Sequence, residues 1–118
     1  MTEARRGSYV IVFRSRLRPG VEEAYNRRGE EIYNLAAQMP GLIAAKDFTA
    51  EDGERVAIVE FDTEAHLLAW RDQVEHRRVQ AQGRESFYAA YSIQICKVER
   101  ASRFDHAAGT WEQDPGRW

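Results

Sequence analysis

Cysteine is all but missing. Cys96 stands alone in 118 residues, which excludes an intramolecular disulfide and any metal site built on clustered thiolates. Histidine is scarce as well: His66, His76 and His106 fall in no HxxxH or HxH spacing, so no bound metal is expected. No apolar run approaches the ~18–20 residues a membrane-spanning helix needs. Met1–Gly7 is polar and lacks the apolar stretch of a secretory signal, so the expectation is a cytoplasmic protein with no membrane association. Neither sign of charge dominates. With 17 basic and 19 acidic residues the chain offers no polyanion-binding bias, and no nucleic-acid partner is expected. Lysine is limited to Lys46 and Lys97, a bias that genome composition explains more cheaply than function.

What is there reads as one small globular domain, 43% hydrophobic and 31% charged. Tyr9–Leu17 alternates and is β-branched and aromatic, a strand ended by Arg18-Pro19-Gly20. Gly20 is a candidate N-cap for a helix running to about Met39, with Glu22 and Glu23 in its first turn. Its apolar stripe is Val21, Tyr25, Ile32, Leu35, Ala36 and Met39. Pro40-Gly41 stops it. Leu42–Ala50 and Arg55–Phe61 form two strands around the hairpin turn Glu51-Asp52-Gly53-Glu54. Asp62 or Thr63 caps a second helix to roughly Ala81, and Tyr91–Glu99 is the last strand. The order βαββαβ predicts an α+β, ferredoxin-like fold, with a four-stranded antiparallel sheet carrying both helices on one face. Strands one and three lie in the centre.

Two helices cover only one face of such a sheet. Yet Val10 and Val12 point away from Tyr9, Ile11 and Phe13, and the third and fourth strands are also apolar on both sides. The expectation is a homodimer with sheet packed on sheet. Arg14 and Arg16 would face that interface, with Glu60 and Glu99 as candidate partners by strand position. Residues 1–8 read as an N-terminal tail, 9–100 as the domain, and 101–118 as an aromatic C-terminal tail holding Phe104, Trp111 and Trp118. That tail is expected to strap onto the partner subunit or to close a pocket mouth.

Several short motifs occur in a telling order. Met39-Pro40-Gly41-Leu42 precedes the second strand and Val59-Glu60-Phe61 the second helix. Ala69-Trp70-Arg71 lies within that helix, His76 follows, and Gly83-Arg84-Glu85-Ser86-Phe87-Tyr88-Ala89-Ala90-Tyr91 leads into the last strand. Together they resemble the antibiotic biosynthesis monooxygenase family of dimeric α+β barrel proteins, over about Tyr9 to Arg100. The resemblance implies dimers whose sheets close into a barrel, each protomer keeping a cavity between helices and sheet. Some members oxidise polycyclic aromatic substrates with dioxygen and no cofactor, and others degrade haem. The haem-degrading branch pairs a helix tryptophan with a histidine ten residues later and an asparagine on strand one. Here Gln80 stands ten residues after Trp70, and strand one has no asparagine, so haem is disfavoured.

The candidate catalytic residues are His66 and Trp70. The indole offers a flat face for an aromatic ligand, and the imidazole, four residues earlier, is a base suited to neutral pH. Candidate substrate-binding residues are Trp70, Tyr33, His76, Arg84 and Tyr88. On an unbroken helix His76 lies opposite the Leu67–Trp70 stripe; a break near Asp72–Glu75 would turn it inward. The expected function is a cofactor-independent monooxygenase acting on a phenolic or polycyclic aromatic small molecule. The alternative is a non-catalytic, dimeric small-molecule-binding or stress-associated protein. RNA-recognition modules share the βαββαβ order, but their aromatic third-strand run is absent from Arg55–Phe61.

Overall fold

Alternation at period two makes Tyr9–Leu17 the first strand, β1, and the turn at Arg18-Pro19-Gly20 closes it. The structure, a computed structural model, describes residues 7–107 and the backbone of 110–113. Gly20, at φ 81°, turns the chain into α1 (Glu22–Ala36), whose N-cap position falls at Val21 and not at Gly20. The regular helix ends at Ala36, short of Met39. Gln38 and Met39 extend it through tighter bonds to the Leu35 and Ala36 carbonyls, at 3.1 and 3.0 Å. β2 (Leu42–Thr49) and β3 (Arg55–Phe61) follow as the expected hairpin. Thr63 then caps α2 (Glu64–Asp72), its Oγ1 accepting from the His66 N–H at 3.2 Å.

The single helix expected to reach Ala81 is two helices. The chain turns extended at Gln73, with ψ 127°, and α3 (Val74–Ser86) begins at once. Gln73 uses its own side chain as the new cap, Oε1 accepting from the His76 N–H at 2.7 Å. The last long strand, β4 (Tyr88–Lys97), starts before the expected Tyr91, because Tyr88 already pairs with Leu17 of β1. A small antiparallel hairpin, β5 (Ser102–Asp105) and β6 (Thr110–Gln113), then sets Phe104 opposite Trp111 in register. Trp118, the side chain of Trp111 and residues 1–6 of the N-terminal tail lie outside the described residues.

The four long strands form one antiparallel sheet in the order β2-β3-β1-β4, an α+β ferredoxin-like topology with β1 and β3 central. Register separates its faces. Ile11 opposes Val59 and Ile95, and Phe13 opposes Ala57 and Ile93, on the side the helices cover. Val10 opposes Glu60 and Cys96, and Val12 opposes Ile58, on the other side. On that side Arg14 binds Glu54 through two hydrogen bonds of 3.1 and 2.9 Å, and Arg16 binds Asp52 at 2.8 Å. The hairpin turn therefore supplies the carboxylates that Glu60 and Glu99 were expected to provide. Glu60 keeps a buried Oε2 with no hydrogen-bond partner among the described residues, and burial raises its carboxyl pKa.

Arg18 ties the two halves together. Its guanidinium donates to the carbonyls of Tyr88, Glu85 and Arg84 at 3.0, 2.7 and 2.9 Å, gathering backbone acceptors that the end of α3 leaves without helical partners. The buried core is small. Ala36, Phe61, Leu67 and Trp70 form it, with Tyr9, Ile11, Ile32, Leu35, Met39, Leu42, Val59 and Leu68 packed around them. No described helix is long and apolar enough to cross a membrane.

Candidate active site

Between the helices and the covered sheet face lies a cavity of about 600 Å³, within the size range of small-molecule sites. Its floor is apolar: Ile11 and Phe13 from β1, Ala57 and Val59 from β3, Ile93 and Ile95 from β4. On α1 the spacing Tyr25, Gly29, Tyr33 places two phenols on one face with a gap between them, and all three residues line the cavity. A Cβ on Gly29 would meet no other atom within 4 Å, so this glycine keeps cavity space open.

One end of the cavity is built by the helix break. In an unbroken helix the Trp70 carbonyl would accept from the N–H of Val74. Here it accepts instead from the Gln73 N–H at 3.2 Å and lies 3.0 Å from Nδ1 of His76. A carbonyl only accepts, so Nδ1 carries the proton and donates. In neutral His76 the lone pair is therefore on Nε2. The imidazole lies flat on the Trp70 indole, 3.9 Å between centroids and 13° between planes, and both residues line the cavity. Burial lowers the His76 pKa, outweighing the opposing effect of the bond to Trp70, so the neutral ring is favoured near pH 7. Gln80, ten residues after Trp70, also lines the cavity. A carboxamide there is no substitute for an imidazole on haem iron, and the histidine that is present is held by Trp70.

The other end is phenolic. The hydroxyls of Tyr25 and Tyr88 lie 3.1 Å apart, and Phe13 packs edge-on against Tyr88. Gly83 permits this, because a Cβ there would strike the Tyr88 ring. Tyr33 is the less settled neighbour: its hydroxyl is buried and completes no hydrogen bond among the described residues, with the Asp47 carboxylate beside it. Burial first, and then the Asp47 carboxylate, push the Tyr33 pKa far above the ordinary phenol value; burial and the Tyr25 hydroxyl do the same for Tyr88. Both remain hydrogen-bond donors at any physiological pH. Asp47 itself lines the cavity from β2.

Of the residues singled out in the sequence, Trp70, His76, Tyr33 and Tyr88 share this cavity; His66 and Arg84 are not among its lining residues. His66 faces the β2 side of α2, where its Nδ1 lies 2.6 Å from Asp62 Oδ1 and the pair packs on Gly41. That contact holds the Asp62 carboxyl below its ordinary pKa. Arg84 is exposed and reaches the Tyr91 hydroxyl at 3.3 Å.

Residues 8–82 match the antibiotic biosynthesis monooxygenase family over more than half of the chain. The chain belongs to that family. Among individual relatives, the chain is similar to YqjZ, an uncharacterized protein of Bacillus subtilis (strain 168). The two are 26% identical over 96 residues, covering 81% of this chain and 83% of YqjZ. SnoaB, a cofactor-independent oxygenase from Streptomyces nogalater, shares the fold at a TM-score of 0.70 and 12% identity, covering 80% of this chain and 96% of SnoaB. Rv0793 from Mycobacterium tuberculosis does so at 0.69 and 16%, covering 85% and 98%. At such identities the likeness concerns the fold alone.

Sequence reasoning passed over three cavity residues. Gly29 breaks no pattern on its helix, and its value shows only once Tyr25 and Tyr33 are seen on either side of it. Asp47 needed the strand register, which sets it opposite Ala57 on the covered face. Tyr25 falls on the apolar stripe of α1, although a phenol on that stripe signals a polar group turned inward.

Proposed function

We propose that this chain is a cofactor-independent monooxygenase that oxidises a phenolic or fused-ring aromatic small molecule in the cavity beside Trp70. The observation that carries the reading is His76: an imidazole stacked on Trp70, tied through Nδ1 to a backbone carbonyl, with a free Nε2 lone pair in a mostly apolar pocket. Such a base takes a proton from an acidic C–H or O–H of the substrate, and the electron-rich anion then reacts with dioxygen. For an anthrone the balance is simple. The ring methylene loses two hydrogens, one oxygen atom becomes the new carbonyl, and the other leaves as water with the proton that Nε2 returns. The cavity contributes orientation and a mostly apolar surround in which the anion forms. His76 is preferred to His66 as the base because it lines the cavity. A non-catalytic carrier would suit a cavity with no polar group at Trp70, and His76 is such a group.

The test is oxygen consumption by the purified protein with anthrone, in the presence of a chelator and without flavin. Anthraquinone formed one for one with dioxygen consumed is the expected result. A protein that binds anthrone yet consumes no oxygen above the uncatalysed rate would remove the reading. We also propose a homodimer joined through the Val10, Val12, Val56 and Ile58 face, in a cytoplasmic setting that keeps Cys96 a thiol. Sedimentation should give twice the 13.6 kDa of the chain; a single-chain mass at micromolar concentration overturns it.

A further inference from the structure

The two ends of the cavity differ in chemistry and are well separated. His76 lies near the start of α3 and Gly83, against which the Tyr88 ring rests, near its end. Seven residues of helix span about 10 Å. Along the floor, Asp47 pairs with Ala57, four residues from Phe61 in the Trp70 cluster, or about 13 Å of strand. Apolar lining is supplied by Ile11, Val59, Leu67 and Val79, while Arg28, Glu30, Glu64 and Arg71 also line the cavity.

At the far end the groups are unevenly satisfied. Tyr25 and Tyr88 bond each other, whereas the buried Tyr33 hydroxyl completes no hydrogen bond among the described residues, although the Asp47 carboxylate lies close enough to act on it. A buried donor without a partner is costly and persists where a ligand completes it. The group that completes this pair must accept from a phenol and donate to a carboxylate. A hydroxyl does both; a carbonyl or a methyl ether can only accept.

We propose that Tyr33 and Asp47 form a distal subsite that selects aromatic substrates bearing a free hydroxyl on the ring farthest from the reacting carbon. This rests on the oxygenase reading only in assigning which end reacts. Tyr33 donates to the ligand hydroxyl, Asp47 accepts from it, and the Tyr25–Tyr88 pair walls the subsite. Gly29 supplies the width for a flat ring to pass between Tyr25 and Tyr33. These residues set specificity and take no part in the chemistry at His76.

The experiment uses two probes, an anthrone carrying an outer-ring hydroxyl and its methyl ether. Binding is read by calorimetry and turnover by oxygen uptake, in the wild type, Tyr33→Phe and Asp47→Asn, each confirmed as folded by its thermal transition. The wild type is expected to bind the hydroxyl compound about 10-fold to 100-fold more tightly, the range for hydrogen bonds to a charged group. Both variants should lose most of that preference while binding the ether as the wild type does. Equal binding of both compounds by the wild type overturns the proposal, as does a preference that survives in both variants or failure of the hydroxyl compound to bind. Preferential binding without turnover leaves the subsite standing and removes the oxygenase reading. Equal binding and equal turnover of both probes does the reverse.

Discussion

The imidazole of His76 covers the indole of Trp70 at 3.9 Å while its Nδ1 donates to the carbonyl of the same tryptophan. Two contacts with one residue thus fix both the plane and the tautomer of the ring. His76→Phe preserves the stack and removes the proposed base. Turnover should fall by about 10²–10⁴-fold, the usual contribution of a positioned general base, with little change in substrate affinity.

The same residue makes stability depend on pH. Burial lowers the His76 pKa in the folded state below the ordinary 6.5, so between the two values the unfolded chain binds more protons. Its contribution is fully present above about pH 6.5 and is lost as pH falls through the folded pKa. Urea midpoints measured across that window should decline toward acid in the wild type and decline less in His76→Phe.

His66 and Gly41 are coupled structurally rather than chemically. Gly41 has φ 81°, and a Cβ there would collide with Asp62 and His66. Gly41→Ala should destabilise the fold by about 1–3 kcal/mol, and His66→Ala in the same chain should recover part of that, as a double-mutant cycle would register. His66→Ala alone should leave turnover within about twofold, since a surface substitution away from the site changes little. A collapse of turnover in His66→Ala with His76→Phe unaffected would move the base to His66.

Gly29 sits mid-helix beside open space. Gly29→Ala should raise stability by about 0.5–1 kcal/mol, because alanine loses less backbone freedom on folding and its methyl group meets no neighbour. Gly29→Leu should also fold well yet fill the gap between Tyr25 and Tyr33. Aromatic ligands should then bind at least about tenfold more weakly, and calorimetry separates the two effects.

Arg18 is a structural tie whose removal should show in melting temperature. Arg18→Ala leaves the Arg84, Glu85 and Tyr88 carbonyls without their donor and should cost about 1–3 kcal/mol. Arg18→Lys should restore only a fraction, because an ammonium cannot present the planar fork that reaches three carbonyls together.

Much of this molecule was legible in the sequence where the signal is local. Period-two alternation marked β1 and β3, Pro40-Gly41 marked the end of α1, and Glu51–Glu54 marked the hairpin. Strand order followed from crossover handedness. The helix break carries no such local signal: Asp72-Gln73-Val74-Glu75 contains neither proline nor glycine, so a break there stands only as an alternative to one helix until the Gln73 side chain is seen capping α3. That one event decided which histidine enters the cavity, because an unbroken helical wheel turns His76 away. Arg18 read as the end of a strand, since its three carbonyl partners lie more than sixty residues along the chain. Arg14 and Arg16 found carboxylates on the hairpin turn because their reach is diagonal, whereas strand position suggested straight neighbours.

The interruption at Gln73 also bears on how this site tolerates change over generations. A catalytic imidazole is commonly oriented by an aspartate or glutamate, and a single codon change can take that partner away. Here the orienting acceptor is the main chain of Trp70, which every substitution at that position retains. The vulnerable point moves to Gln73: drift that healed the two helices into one would hand the Trp70 carbonyl back to Val74 and release His76. The inheritance of function in this lineage should therefore be traced through the persistence of a helix discontinuity, even where the residues around it have diverged.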